Sequence, residues 1–210
     1  MKISKKLYKK PFALFAGFVF LFSAPAFSYG SEITDGVKKT IDAMIEVLRA
    51  EEWKKEDKKA ERRELLKEII AKKFSYYEMS RRALAKHWKD RTPEEKKEFI
   101  ETFGKLLESS YAKKIESFTD EKIHYGEEKV RKNVALVKTI IEKNSDDPIL
   151  VNYKLVRTEN DWMIYDFVVE GVSLIKNYRA QFNRIIHQSS FQELIIKMKK
   201  KVDNLSDKKF

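Results

Sequence analysis

The segment from Ile149 to Val169, ILVNYKLVRTENDWMIYDFVV, decides the fold class. Its first half alternates apolar and polar side chains, which is the period of a β-strand with one buried face. The alternating apolar positions are Ile149, Val151, Tyr153 and Leu155. The turn-forming residues Thr158-Glu159-Asn160-Asp161 follow, and an apolar run from Trp162 to Val169 predicts a partner strand. We therefore expect an antiparallel hairpin here.

Further strands are predicted upstream of this hairpin. Ile123 and Tyr125 alternate with polar residues before Gly126, and the run from Val134 to Ile141 has apolar side chains on both faces. The residues from Asn144 to Pro148 form the next turn signal. Since short turns join all of these runs, we predict an antiparallel meander of about four strands.

The sequence on both sides of the predicted sheet has the period of helices. The first apolar stripe consists of Ile33, Val37, Ile41, Ile45 and Leu48. A helix start is predicted at Ser75, where Glu78 completes a capping box, and another at Thr92, which is followed by proline and by Glu95. Helical period returns after Ser173. This order predicts an α+β fold, with a helical N-terminal half packed on a twisted antiparallel sheet and with C-terminal helices.

The N-terminus has the pattern of a cleavable secretory signal. Five lysines precede an apolar run from Phe12 to Phe22, and the small-residue triplet Ala24-Pro25-Ala26 follows. A spanning helix needs about 20 apolar residues, whereas this run is shorter and is broken by Ser23 and Pro25. We therefore favour cleavage over retention as an anchor. We expect residues 1–26 to be the signal peptide and residues 27–210 to form one domain in the periplasm. Without those five of the 44 basic residues, 39 basic residues face 33 acidic ones, a net charge of +6.

The composition excludes several classes of chemistry. The 210 residues include no cysteine, so disulfides, thiolate metal sites and cysteine nucleophiles are ruled out. His87, His124 and His187 lack the spacing of metal ligands, and no two of the six glycines are close enough to build a phosphate-binding loop. Acids and bases alternate from Glu51 to Glu64, which indicates a solvated helix face or a connection. We predict no cofactor, no metal site and no nucleotide hydrolysis.

Asp166 is the residue that most suggests catalysis. It lies among apolar residues in the last predicted strand, where a carboxylate can serve as a general base. The alternative is a structural hydrogen-bond acceptor that ties the strand to the start of a helix. No second catalytic group can be paired with Asp166 from the sequence, so we favour the structural role. An enzyme that acts on a hydrophobic substrate remains the alternative.

Large apolar side chains are abundant in the predicted sheet and in the long helices. An ordinary solid core explains this abundance. A twisted sheet wrapped around helices can also leave a dry cavity that holds an apolar ligand. Composition alone does not choose between these two interpretations.

Two blocks of sequence resemble the pattern of a known family. One block runs from Trp162 to Leu174, WMIYDFVVEGVSL, and continues with Asn177-Tyr178-Arg179 and Gln181-Phe182. The other block comprises Phe74, Met79, Arg81-Arg82-Ala83-Leu84, His87-Trp88, Thr92-Pro93-Glu94-Glu95, Phe99, Phe103, Leu107 and Tyr111. They occur in the right order, and the resemblance extends from about Ile33 to Met198. The chain thereby resembles the MlaC family of periplasmic phospholipid-binding proteins, also called toluene-tolerance auxiliary proteins.

The resemblance implies an NTF2-like fold with a deep hydrophobic cavity and a non-enzymatic role in lipid transport. A shuttle of this family carries phospholipid between an outer-membrane lipoprotein complex of the MlaA type and an inner-membrane ATP-driven transporter with a periplasmic ring of the MlaD type. This role maintains the lipid asymmetry of the outer membrane. Moving about 30 methylenes through water would cost on the order of 24 kcal/mol, so a soluble carrier must hide both acyl chains.

The resemblance also implies candidate binding residues, whose inward direction is a hypothesis at this stage. The candidate lipid-binding residues are Met79, Leu84, Phe99, Phe103, Leu106, Tyr111, Val137, Ile141, Val151, Tyr153, Phe167 and Val169. The candidate contacts to a head group or to a partner are Arg81, Arg82, Lys86 and Arg179. A cation can pair with lipid phosphate or with an acidic surface, although a solvated or salt-bridged structural role is the alternative for each.

Overall fold

The computed structural model describes residues 31–118, 120–142 and 147–207. The predicted signal peptide, residues 1–26, lies outside the described residues. The described helices are α1 (Glu32–Arg49), α2 (Lys59–Ala71), α3 (Tyr76–Leu84), α4 (Pro93–Glu116), α5 (Leu174–Gln188) and α6 (Phe191–Asp207). The described strands are β1 (Lys122–Arg131), β2 (Val134–Glu142), β3 (Ile149–Arg157), β4 (Trp162–Val169) and β5 (Val172–Ser173). The predicted α+β class is confirmed.

The five described strands form one antiparallel meander in the order β1-β2-β3-β4-β5. Four strands were predicted, and the additional β5 has only two residues. It forms because Glu170 and Gly171, with φ of 48° and 78°, turn the chain back onto β4. Such left-handed conformations suit a tight two-residue hairpin. The hairpin delivers the chain to the start of α5 at the edge of the sheet.

The predicted helix starts are made by side-chain caps. Thr92 Oγ1 accepts a hydrogen bond from the Glu95 amide at 3.2 Å, and the Thr92 amide donates to Glu95 Oε2 at 3.0 Å, which completes the capping box of α4. Ser75 Oγ accepts from the Glu78 amide at 3.2 Å. The Glu78 carboxylate instead pairs with Arg81. The cap of α3 is therefore the serine alone.

The mixed-charge run is a solvated connection, as predicted. Residues Glu51–Lys54 and Glu56–Lys58 form two short 3₁₀ turns without buried side chains, and α2 follows directly. Ion pairs between residues three apart, such as Lys58 with Glu61 at 2.8 Å, lie on the exposed face. Exposed pairs of this kind contribute little to stability.

The N-terminal half of α1 is fixed to the sheet. The Glu128 carboxylate on β1 accepts hydrogen bonds from Ser31 Oγ, from the Thr34 amide at 3.1 Å and from Thr34 Oγ1 at 2.6 Å. A negative charge at the first turn is favoured by the helix dipole. Ile33 and Val37 then pack onto the sheet. The C-terminal half of the same apolar stripe continues beyond this contact.

The buried apolar residues form three clusters. The helical core consists of Met79, Ala83, Leu84, Trp88, Phe99, Phe103, Leu106, Leu107, Leu174, Ile175, Tyr178, Phe182, Phe191, Leu194, Ile195 and Met198. The sheet cluster consists of Ile33, Val37, Ala135, Val137, Leu155, Trp162 and Ile164. The satellite cluster has Val47, Leu48 and Leu66 at its centre, with Met44, Trp53, Leu65, Ile69, Ile115 and Phe118 packed around them. In the described part of the chain, none of the helices combines the length and apolarity needed to cross a bilayer.

Candidate functional site

An apolar cavity of about 280 Å³ lies where the three clusters meet. The helical core contributes Met79 and Leu107 to its wall, and the satellite cluster contributes Leu48 and Ile115. Tyr153, which packs against the sheet cluster, contributes from the third side. The cavity is thus the space that three separate packing units leave between them.

Helical spacing places the lining residues of α1 and α4 on the faces that border the cavity. On α1, residues three or four apart share one face, and the lining residues of this helix are Ile41, Met44, Ile45 and Leu48. On α4 and just beyond it, the lining residues are Leu107, Glu108, Tyr111, Lys114, Ile115 and Phe118. The half of α1 that lies beyond its sheet contact therefore faces the open space.

Strand pairing builds the remaining wall. Val151 is paired with Val169, and Tyr153 with Phe167, so all four side chains lie on the same face of the sheet. All four line the cavity, together with Ile141 from β2. The sheet thus presents a continuous apolar surface to the cavity.

Few polar groups border the cavity. Tyr76 Oη donates to Glu108 Oε1 at 3.2 Å. Burial, reinforced by Glu108, raises the pKa of Tyr76 well above its ordinary value. Burial also raises the pKa of Tyr111 to about 12, with a smaller contribution from Tyr178, and burial raises the pKa of Tyr153 to about 12. These hydroxyls are neutral at physiological pH, so the cavity offers hydrocarbon contacts and a few neutral donors, with Glu108 and Lys114 as the charged residues of its lining.

The predicted lipid-binding residues fall into two groups. Seven of them line the cavity: Met79, Tyr111, Ile141, Val151, Tyr153, Phe167 and Val169. The other five lie within the solid clusters: Leu84, Phe99, Phe103, Leu106 and Val137. Phe103 shows why, since its ring contacts Tyr178 and Phe182 with centroid distances of 5.1 and 5.2 Å, which leaves no space beside it. The binding role of either group remains a prediction.

Most of the helical side of the cavity was not predicted from the sequence. The further lining residues are Ile41, Met44, Ile45, Leu48, Ile70, Phe74, Tyr76, Leu107, Glu108, Lys114, Ile115, Phe118, Ile123 and Leu174. The stripe on α1 was visible as helical periodicity. An apolar stripe has the same pattern whether it faces a solid core or a void, so periodicity alone did not identify its role.

The four predicted cations lie outside the cavity lining. Arg81 and Arg82 pair with Glu78 at 2.8 and 3.1 Å. Lys86 Nζ is 3.1 Å from His187 Nε2, and Arg179 Nε donates to the Arg82 carbonyl at 2.9 Å. Arg81 and Arg82 lie on α3, Lys86 in the short 3₁₀ turn Ala85–Trp88 that follows it, and Arg179 on α5. The cation that the structure places in the lining is Lys114 instead.

Asp166 has the structural role that the sequence favoured. Its carboxylate accepts from Ser173 Oγ at 2.7 Å, from the Ile175 amide at 3.0 Å and from Lys154 Nζ at 3.0 Å. It is 3% exposed and does not line the cavity. A carboxylate at the first turn of a helix satisfies its free amides and is favoured by the helix dipole. Asp166 therefore ties β4 to the start of α5.

The histidines make ordinary polar contacts. His87 Nε2 lies 3.0 Å from Asn183 Oδ1, and His124 Nε2 lies 2.8 Å from Glu142 Oε2. Within residues 31–118, 120–142 and 147–207, no group of three or more histidine or acidic side chains is arranged to hold a metal ion.

Sequence comparison matches most of the chain to one family. The family model described as MlaC protein matches residues 38–200. The intermembrane phospholipid transport system binding protein MlaC of Haemophilus influenzae is 28% identical over 122 residues, which are 56% of this chain and 57% of that relative. The matched region thus spans a little over half the length of this relative.

Structural comparison gives a similar protein at lower identity. A phospholipid-binding protein from Ralstonia solanacearum, solved in complex with a phospholipid, superposes with a TM-score of 0.75 at 18% identity. The match covers 84% of this chain and 99% of that one. At this identity the likeness establishes a common fold. Because the family model also spans well over half of the chain, the protein belongs to the MlaC family.

Proposed function

We propose that the protein binds a glycerophospholipid by its acyl chains and carries it between the two membranes of the cell envelope. The observation that carries this proposal is the apolar cavity at the junction of the three clusters, in a chain of the MlaC family. The Haemophilus relative is named for intermembrane phospholipid transport, and the Ralstonia neighbour was solved with a phospholipid. Both names agree with an apolar cargo.

The physical requirement is burial of hydrocarbon. Each methylene transferred from water to an apolar site contributes about 0.8 kcal/mol, so acyl chains supply the binding free energy. The phosphate head group is better left in water than buried without partners. Recognition then depends on apolar volume, with little selectivity for the head group. Lys114 is the cation among the residues that line the cavity, and its ammonium is our candidate to meet the phosphate.

The working environment follows from the same proposal. The signal peptide predicted at residues 1–26 exports the chain to the periplasm. There it receives or delivers lipid at an outer-membrane lipoprotein complex of the MlaA type and at an inner-membrane transporter with an MlaD-type ring, and so maintains outer-membrane lipid asymmetry. Since the chain has no nucleotide-binding motif, the inner-membrane transporter supplies the energy.

The predicted cations are assigned to partner contact. None of the four lines the cavity: Arg81 and Arg82 lie on α3, Lys86 in the turn after it, and Arg179 on α5. An acidic partner surface would be steered toward them, so association should weaken as salt is raised. Charge reversal at Arg179 should slow this association while lipid loading is retained.

The experiment that tests the function is native mass spectrometry of the protein purified from cells, combined with organic extraction. We expect a diacyl phospholipid to be bound at close to one molecule per chain. A protein that emerges empty and also refuses phosphatidylethanolamine and phosphatidylglycerol from vesicles would overturn the proposal. Retention of a non-lipid metabolite in the cavity would overturn it as well.

A further inference from the structure

The cavity is small for the proposed ligand. Its volume of about 280 Å³ lies just below the range of roughly 300–1,000 Å³ that is typical of sites for drug-sized ligands. A single acyl chain is of drug-like size, whereas a diacyl phospholipid is considerably larger. The cavity therefore matches one chain better than two.

A larger cleft lies directly behind one wall. It has a volume of about 910 Å³ and runs between α2 and α4, with Val202 of α6 at one side. Ile70, Glu108 and Ile115 line both the cleft and the cavity. A single layer of side chains thus separates the two spaces.

The wall that carries α2 is the least firmly packed. This helix, all of whose residues are described, buries only Leu66, and the satellite cluster around Leu66 is much smaller than the helical core. The satellite cluster joins Leu66 and Ile69 of α2 to Ile115 of α4, and two ion pairs add polar links. Arg63 makes a bidentate ion pair with Glu116, in which Nη2 lies 3.0 Å from Oε2. Lys67 Nζ lies 3.8 Å from Glu108 Oε2. Displacing α2 would therefore disturb the satellite cluster, whereas the helical core and the sheet cluster contain no residue of α2.

We infer that the cavity as it stands holds one acyl chain, and that the second chain of a diacyl lipid enters when α2 separates from α4 and the cavity joins the cleft. This inference rests on the proposed function. Charged side chains such as Arg63 and Glu116 also line the cleft, and its apolar surface for the second chain comes from Leu65, Leu66, Ile70, Ala112, Ile115 and Val202. The Arg63–Glu116 pair is the clasp that opposes separation. Lipids with one chain bind without opening it.

The absence of natural cysteines allows a direct test by cross-linking. In the full chain, Arg63→Cys and Glu116→Cys are joined by a short bismaleimide. The matched control is Glu98→Cys with Lys199→Cys, which replaces an ion pair of 2.7 Å between α4 and α6 and lines neither space. Binding is measured with lysophosphatidylethanolamine, which has one chain, and with phosphatidylethanolamine, which has two.

We expect the cross-link at positions 63 and 116 to weaken phosphatidylethanolamine binding about a hundredfold or more, because most of a second chain would remain in water. Binding of the one-chain lipid should change little, and the control cross-link should affect neither lipid. Equal binding of phosphatidylethanolamine before and after the cross-link would overturn the inference. Loss of both lipids would overturn the assignment of one chain to the closed cavity. Failure of the unmodified chain to bind either lipid would instead contradict the proposed function.

A second measurement leaves the Arg63–Glu116 ion pair intact. Spin labels at Glu61→Cys on α2 and Lys105→Cys on α4 report the width of the cleft by pulsed electron resonance. We expect the distance distribution to shift to longer values with phosphatidylethanolamine and to stay unchanged with the one-chain lipid. An unchanged distribution with phosphatidylethanolamine bound would overturn the inference.

Discussion

The helical core and the cavity beside it are built from the same kinds of residues but are packed differently. In the helical core, Phe99 and Phe103 are 0% exposed, and their rings meet Phe182 edge to face. Around the cavity, Ile41 and Ile115 are only half-buried and face open space. Close packing that stabilises the fold and open space for a ligand therefore lie in separate parts of the described chain.

The largest expected effect is a difference between the two regions in the stability lost on truncating a side chain. Phe103→Ala should reduce the free energy of unfolding by about 3–5 kcal/mol, because it leaves a void that the closely packed rings of Tyr178 and Phe182 do not fill. Ile41→Ala should cost less than about 2 kcal/mol, because its side chain already borders empty volume. Urea unfolding of both variants measures the difference. Equal losses would contradict the division into solid and hollow regions.

A second comparison uses two valines on the same face of the sheet. Val137→Trp forces a large side chain into the sheet cluster and should destabilise the fold by at least about 1–3 kcal/mol. Val151→Trp projects into the cavity, so it should leave the melting temperature nearly unchanged and exclude lipid. Thermal melting with native mass spectrometry measures both properties. Full lipid occupancy in Val151→Trp would show that the ligand lies elsewhere.

The next effect concerns the junction between the sheet and α5. Asp166→Asn removes the negative charge that accepts hydrogen bonds from the Lys154 ammonium and from the Ile175 amide of α5. It should reduce the free energy of unfolding by about 1–3 kcal/mol. Lipid loading should be retained, because Asp166 lies outside the cavity lining. Asp203→Asn, on an exposed position of α6, is the matched control. Loss of a measurable turnover of a hydrophobic substrate, with the fold intact, would instead favour the enzyme alternative.

The smallest expected effect tests the clasp at the edge of the cleft. The hydrogen bond from Arg63 lowers the pKa of Glu116 below its ordinary value of 4.5, against the opposing effect of burial. The pair therefore stabilises the fold above pH 4.5 and loses this contribution as the pH falls through the lowered pKa. At pH 7 it is worth on the order of 1 kcal/mol.

Glu116→Gln measures this contribution. The variant should melt below the natural protein at pH 7, and the two melting temperatures should converge as the pH falls below 4.5 and through the lowered pKa of Glu116. A difference that stays constant across this range would mean that the ion pair does not hold α2 to α4.

The strand pattern and the capping signals were sufficient to predict the fold class. Alternation from Ile149 to Leu155 and the Thr92 capping box are local properties, so they can be read without knowing tertiary contacts. The two-residue β5 could not be predicted, because it depends on the left-handed turn at Glu170 and Gly171. Its length is below what periodicity can detect.

The cavity lining was only partly predictable. The inward face of the sheet follows from alternation, and Val151, Tyr153 and Phe167 indeed lie at the cavity. On the helices, Phe103 and Tyr111 occupy the same apolar stripe of α4, yet Phe103 is enclosed by aromatic rings and Tyr111 borders the void. This distinction depends on how the helices sit against one another.

The most direct test of the proposed binding site is to locate an acyl chain of the bound lipid. Phosphatidylethanolamine with a diazirine at the end of one acyl chain is loaded, irradiated, and the labelled peptides are identified by mass spectrometry. We predict labels on residues 41–48 of α1, on residues 107–118 and on the sheet face that carries Val151, with Phe99 and Phe182 unlabelled. Labels confined to the outer surface, or to the helical core, would contradict the claim that the hollow between the clusters holds the lipid.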